Sequence, residues 1–110
     1  MPDEAKSRMS LREIVLKLMG EAMRRIADYQ LNDMEIVISP RLCVYAGKLK
    51  VSAVARKSWN EHWCFVVKVK GKQAEGLAFG RQAAIDKCVS SLEAKLGQKL
   101  EEFYDLQDTE

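Results

Sequence analysis

Histidine is almost absent from this chain of 110 residues; His62 is the only one. One imidazole leaves little room for acid–base catalysis near neutral pH, and no Ser/His/Asp arrangement or nucleophile elbow surrounds it. His62 and Cys64 share a strand parity, but nothing supplies the third group or oxyanion site that a thiolate–imidazole pair needs. No catalytic residue is therefore assigned, and no enzyme is expected. The three cysteines, Cys43, Cys64 and Cys88, are odd in number and show no C-x-x-C spacing. That predicts free reduced thiols and, with a single histidine, no zinc site. The six glycines spell neither G-x-x-x-x-G-K-[ST] nor G-x-G-x-x-G, so no nucleotide-phosphate loop and no cofactor are expected. Apolar runs fall short of the roughly 20 residues that cross a bilayer. The charged start "MPDEAKSRMS" carries no hydrophobic segment, which predicts no secretory signal and a cytoplasmic, non-membrane protein.

What is present suits one folded domain. Apolar residues make up 47% of the chain and charged residues 31%, enough for one core and too polar for a membrane bundle. The expectation is a single domain over 1–110, with 1–8 and 105–110 frayed. Charge is distributed unevenly. Residues 41–81 hold nine basic side chains against Glu61 and Glu75, whereas both flanks are net acidic. A basic centre of this kind points to an acidic partner, and nucleic acid leads that class.

Helical period opens the chain in "SLREIVLKLMGEAMRRIADYQL", where Leu11, Ile14, Val15, Leu18, Ala22, Ile26 and Tyr29 recur at spacings of three and four. Ser10 with Glu13 forms a capping-box pattern. Leu16, Met19 and Met23 widen the stripe. Together with Leu96, Leu100 and Phe103 they suggest a homodimer built through the helices. Strand patterns follow. "MEIVIS" stops at Pro40, and "RLCVYAGKLKVSAVARKSW" reads as two strands around Gly47. "SWNEHW" and "KGKQ" read as turns, and "AEGLAF" as a short last strand. "GRQAAIDKCVSSLEAKLGQKLEEF" then restores helical period through Ala84, Ile85, Cys88, Leu92, Leu96, Leu100 and Phe103, with Gly97 either ending the helix or lying inside it. The fold class is α+β: an antiparallel sheet of three to five strands flanked by an N-terminal and a C-terminal helix, in α-β-β-β-α order.

In "HWCFVVKVKGK" strand alternation puts Trp63, Phe65, Val67 and Val69 on a core face. Cys64, Val66, Lys68 and Lys70 lie on the other, with Lys50 and Arg56 of the preceding strand. Lys50, Arg56, Lys68, Lys70, Lys72 and Arg81 are thus candidate phosphate contacts, and Trp59, in a turn, a candidate stacking ring together with His62 near the same hairpin tip. Tyr45 is assigned to packing.

The stretch "CFVVKVKGKQAEGLAFGRQAAIDKCVSSLEAKL" resembles double-stranded-RNA-binding domains, which share the α-β-β-β-α order, a glycine-bearing third strand and an alanine-rich final helix. The resemblance covers Leu49 to Leu96, and the first helix matches in position alone. Where that family's last helix opens with a phosphate-holding lysine cluster, "GRQAAIDK" keeps Arg81 and Lys87. The tryptophan-led strand at Trp63 followed by "AAIDKC" is also similar to small phage-encoded α-β-β-β-α sandwich proteins. These observations imply a nonenzymatic nucleic-acid-binding module, RNA rather than DNA, using a basic sheet face. The alternative is a phage- or mobile-element-type interaction or inhibitory module that docks on an acidic protein.

Overall fold

The computed structural model describes residues 6–26 and 35–107. Ser10 caps helix α1 (Leu11–Arg24) as the capping box requires. Its Oγ accepts from the Glu13 N–H at 3.1 Å, and Glu13 Oε1 accepts from the Ser10 N–H at 2.9 Å. Two further N–H groups of the first turn, on Leu11 and Arg12, donate to the carbonyls of Glu102 and Leu100. The chain beyond the second helix is thereby tied to the start of the first. Tyr29 of the predicted stripe lies outside the described residues.

The main sheet has five strands, all paired antiparallel: β2 (Ile36–Ile38), β3 (Leu42–Ala46), β4 (Leu49–Ser58), β5 (His62–Val69) and β6 (Lys72–Phe79). Strand β6 takes in all of "KQAEGLAF". Both β2 and β3 lie along the same edge of β4, one at each end. Pro40 interrupts them because it has no N–H for a ladder. Ser39 bridges the break: its N–H donates to the Ala55 carbonyl, and its Oγ accepts from the Ala55 N–H at 2.9 Å.

One face of this sheet is committed to the core. Its rows read Leu42–Ala53–Val67–Ala74, Ala55–Phe65–Gly76 and Val37–Lys57–Trp63–Ala78. Helix α1 covers the β3–β4 side with Ile14, Val15, Leu18 and Ala22. Helix α2 (Arg81–Leu96) covers β5 and β6 with Ala84, Cys88, Val89 and Leu92. Small residues on both partners let α2 come very close. A Cβ placed on Gly76 would sit under 3.0 Å from three backbone atoms: the Ala84 carbonyl oxygen and the Cys88 N and Cα.

Helix α2 ends at Leu96, where Gly97 takes the left-handed conformation (φ 75°) and donates its N–H to the Glu93 carbonyl. Of the two readings of Gly97, helix end or interior glycine, the cap takes the first, and the apolar spacing through Leu100 and Phe103 is not helical. Instead β7 (Phe103–Gln107) pairs antiparallel with β1 (Lys6–Ser10) in a separate two-stranded sheet. The order is β-α-β-β-β-β-β-α-β rather than α-β-β-β-α. Residues 6–8 and 105–107, within the ends expected to fray, are paired; 1–5 and 108–110 lie outside the described residues. Met19 and Leu100 are fully buried in the chain's own core. The apolar stripe that suggested a homodimer through the helices is therefore partly used up within the fold. Among the described residues no helix is long and apolar enough to cross a membrane.

Candidate nucleic-acid interface

The sheet's second face carries no helix, and its rows follow from strand register. From one end they read Tyr45–Lys50, Cys43–Ser52–Lys68–Gln73, Val54–Val66–Glu75, Ile38–Arg56–Cys64–Leu77 and His62–Phe79. Antiparallel partners share a face, so Lys50, Arg56 and Lys68 do lie together. At the first end Arg41, Lys48, Lys50, Ser52, Lys68, Lys70 and Gln73 line a shallow hollow of about 530 Å³. At the other end Ile36, Arg56, Ser58, His62, Cys64 and Leu77 line a second hollow of about 340 Å³.

The two ends differ in chemistry. Among the described residues, none of Arg41, Lys48, Lys50 and Lys68 takes part in an ion pair. Lys50 Nζ lies 5.8 Å from the centre of the Tyr45 ring, and that ring is 62% exposed. The far end sets exposed apolar side chains around one cation, Arg56. Phe79 is 67% exposed and packs against the His62 ring with centroids 3.9 Å apart. His62 Nδ1 meets Asn60 Oδ1 at 2.7 Å, and the same oxygen accepts from Ser58 Oγ at 2.7 Å. The β4–β5 loop thus holds the imidazole in place over the phenyl ring. Ile36 and Ile38 stand exposed beside them.

Two predicted contacts, Lys72 and Arg81, fall elsewhere, and Lys70 reaches the edge of the basic hollow from a turn. Lys70 does not continue the parity of Lys68, because it begins the two-residue turn with φ 54° and Gly71 follows at φ 78°. Two positive φ values make this a type I′ hairpin turn, and the turn ends the alternation that would have placed Lys70 on the open face. Its amino group donates to Glu102 Oε1 at 2.7 Å, and the Tyr104 hydroxyl donates to the same oxygen at 2.6 Å. The two hydrogen bonds, led by that from Lys70, hold the Glu102 carboxyl down at about 2. Lys72 sits opposite Val69, at the margin of the helix-covered side. Arg81 is exposed at the start of α2, in a cluster with Glu61, Phe79 and Gln82. Trp59 projects at the β4–β5 hairpin tip and is 52% exposed.

Residues that sequence parity did not assign complete the basic end. Lys48 follows Gly47 in the β3–β4 turn, and Arg41 follows Pro40 where β2 gives way to β3. Tyr45, assigned to packing, is on the open face instead. Phe79 ends its strand on the same parity as Glu75 and Leu77. Of the three thiols, Cys43 is the one exposed on this face. Cys88 lies in the core, where burial, more than the nearby Cys64, pushes it up to about 12. Cys64 is buried, and Cys43 is an exposed free thiol. No trio of His, Cys, Asp and Glu side chains that could hold a metal ion occurs among the described residues.

The chain matches no protein-family model, no curated protein and no solved structure. The likeness of residues 49–96 to double-stranded-RNA-binding domains therefore stands on those residues alone.

Proposed function

We propose that the protein is a nonenzymatic RNA-binding module whose basic sheet end holds the phosphate backbone. The carrying observation is a contrast between two sets of cations. Arg12, Arg24, Lys57, Lys70 and Lys99 are each paired with a carboxylate. Five cations line one hollow; Lys70 is the paired one at its edge, and the other four, Arg41, Lys48, Lys50 and Lys68, are in no ion pair among the described residues. Clustered unpaired cations repel one another, and a polyanion relieves that repulsion with release of its counterions. Gln73 is exposed among them and offers a neutral donor and acceptor of the kind a 2′-hydroxyl meets.

Four phosphate contacts imply a salt slope near −2.8 for a single strand, or about 50-fold weaker binding at 200 mM than at 50 mM salt. The test is fluorescence anisotropy of labelled RNA and DNA across that salt range, with Lys50→Glu and Lys68→Glu combined. The expected result is loss of binding with an unchanged circular dichroism spectrum. Absence of wild-type binding at 50 mM salt would refute the proposal.

A second reading, docking on an acidic protein partner as an interaction or inhibitory module, is favoured by the aliphatic side chains Ile36, Ile38 and Leu77, all more than half exposed. Under it, Ile38→Ser disrupts partner capture, and isolated nucleic acid does not bind.

A further inference from the structure

We infer that the RNA taken by this face is single-stranded, with bases stacked on the His62–Phe79 ring pair and on Tyr45 while its phosphates cross the basic row between them. The inference rests on the RNA-binding reading and adds the form of the ligand and the groups that meet its bases.

The aromatic rings stand at opposite corners of the open face. Tyr45 is on β3 in the Lys50 row, and Phe79 is on β6 beside His62. Eight residues of β4 separate the Lys50 row from Ser58, roughly 26 Å at the usual rise. That length suits on the order of four nucleotides, the low end of the site sizes seen for single-strand platforms. The ring pair is also ordered before any ligand arrives, because Asn60 fixes the imidazole and Phe79 packs on it. A preoriented ring loses little entropy when a base stacks on it.

A duplex fits this surface poorly. Its base faces are hidden in the stack, so it would set a charged backbone against Phe79 and Leu77 and leave their apolar area unrewarded. The other place to seat a duplex backbone, the first turns of α2, is not strongly cationic. Arg81 shares that stretch with Asp86, and the Lys87 amino group is turned onto the Leu77 carbonyl at 3.4 Å. A single strand supplies both chemistries at once, phosphates for one end and exposed π-faces for the other.

The decisive experiment measures binding of a labelled 12-nucleotide single-stranded RNA, the same strand with abasic sites at its centre, and the matching duplex. Each is titrated against the wild type and Phe79→Ala at equal salt. Loss of one stacked base weakens binding between about 5- and 100-fold. The expected pattern is that the abasic strand and Phe79→Ala each lose such a factor, that combining them loses little more, and that the salt slope is unchanged. The duplex binds more weakly than the intact strand. Because the abasic comparison uses unaltered protein, it decides the matter even where a variant fails to fold. Equal binding of intact and abasic strands, or a duplex bound as tightly as the single strand, overturns the inference while leaving a phosphate-binding module standing. No binding of any of the three removes both.

Discussion

Adding one methyl group at Gly76 is the smallest change that tests the fold. The new Cβ would lie 2.8 Å from Cys88 Cα and closer still to Cys88 N and the Ala84 carbonyl oxygen. All three obstructing atoms are backbone, so no side chain can swing aside. Relief requires α2 to lift from β6 by on the order of 1 Å, a gap that forfeits roughly a quarter to a half of each contact across it. Ala84, Cys88, Val89 and Leu92 are the buried residues of that helix. Full burial of a large apolar side chain contributes about 1.5–3 kcal/mol, so partial loss across these four costs about 2 kcal/mol. Residual overpacking adds about 1–3 kcal/mol. A total near 4 kcal/mol is a large share of the roughly 5–15 kcal/mol that holds an ordinary domain together. Gly76→Ala should lower the melting temperature by about 15 °C or more. Gly20→Ala is the matched control: Gly20 is inside α1 with nothing within 4 Å of its added Cβ. It should be neutral or stabilising by up to about 1 kcal/mol. Thermal and urea unfolding of both variants decide the point. A Gly76→Ala protein that melts within about 5 °C of the wild type would mean that α2 does not rest on β6 at this distance.

The other expectations concern charge. Among the described residues Glu75 is the only carboxylate in the rows of the open face, next to that of Lys68; Glu75→Lys should tighten RNA binding several-fold at 50 mM salt and steepen its salt slope by about 1 unit. Tightening that is absent at low salt would argue that the backbone does not pass this row. Reversal at Lys50 and Lys68 should act oppositely, without moving the melting temperature by more than a few degrees. Acid sensitivity follows from Glu102, whose folded-state carboxyl titrates near 2, below its ordinary value of 4.5, chiefly because of the Lys70 hydrogen bond. Its contribution is complete above about pH 4.5 and is lost as the pH falls towards 2. Both partners are more than a third exposed, so solvent screening holds that contribution to at most about 1 kcal/mol. Lys70→Met should therefore flatten the stability profile between pH 5 and 2, read by urea midpoints at each pH; an unchanged profile would assign the acid limb to other carboxylates.

Local signals carried the reading of the sequence where neighbours along the chain settle the structure. Ser10 and Glu13 are three residues apart, and their capping box is a local event. The alternation in β5 placed Trp63, Phe65, Val67 and Val69 in the core because a half-buried strand leaves no other parity. Legibility ends where distant residues meet or where a turn resets parity. Nothing near Phe103 announces that it will pair with Ser10, and the spacing of Leu96, Leu100 and Phe103 imitates another helical turn. Gly97 decides otherwise, since a left-handed residue ends the helix more decisively than apolar spacing extends it. Lys70 followed Lys68 by two and looked like its neighbour in space, but alternation holds inside a strand and not in a type I′ turn. Gly76 was visible only as one small residue among Ala74 and Ala78. Its meaning depends on which helix crosses it.

The two faces of the sheet are constrained in different ways, and this separates stability from binding. On the helix side each position is fixed by packing: a methyl is too much at Gly76, and Ala53, Ala55 and Ala74 are almost wholly buried. On the open side Lys50, Arg56, Lys68, Glu75, Leu77 and Phe79 are exposed, so their side chains answer to no core neighbour. Such positions tolerate nearly any residue as far as folding is concerned. A surface under no constraint beyond solubility is expected to mix its charges and break up its apolar side chains. Here Arg41, Lys48, Lys50 and Lys68 gather at one end beside Tyr45; Ile36, Ile38, Leu77 and Phe79 gather at the other around Arg56, and Glu75 lies between. The stacking and phosphate variants can therefore be read as binding effects with little correction for lost fold, provided that the aromatic and basic ends are changed separately and then together. For a ligand that spans both ends, Phe79→Ala and Lys50→Glu should each weaken binding while leaving the unfolding midpoint in place. Their combined loss should fall close to the sum in free energy, because the two sites are more than 10 Å apart and share no contact.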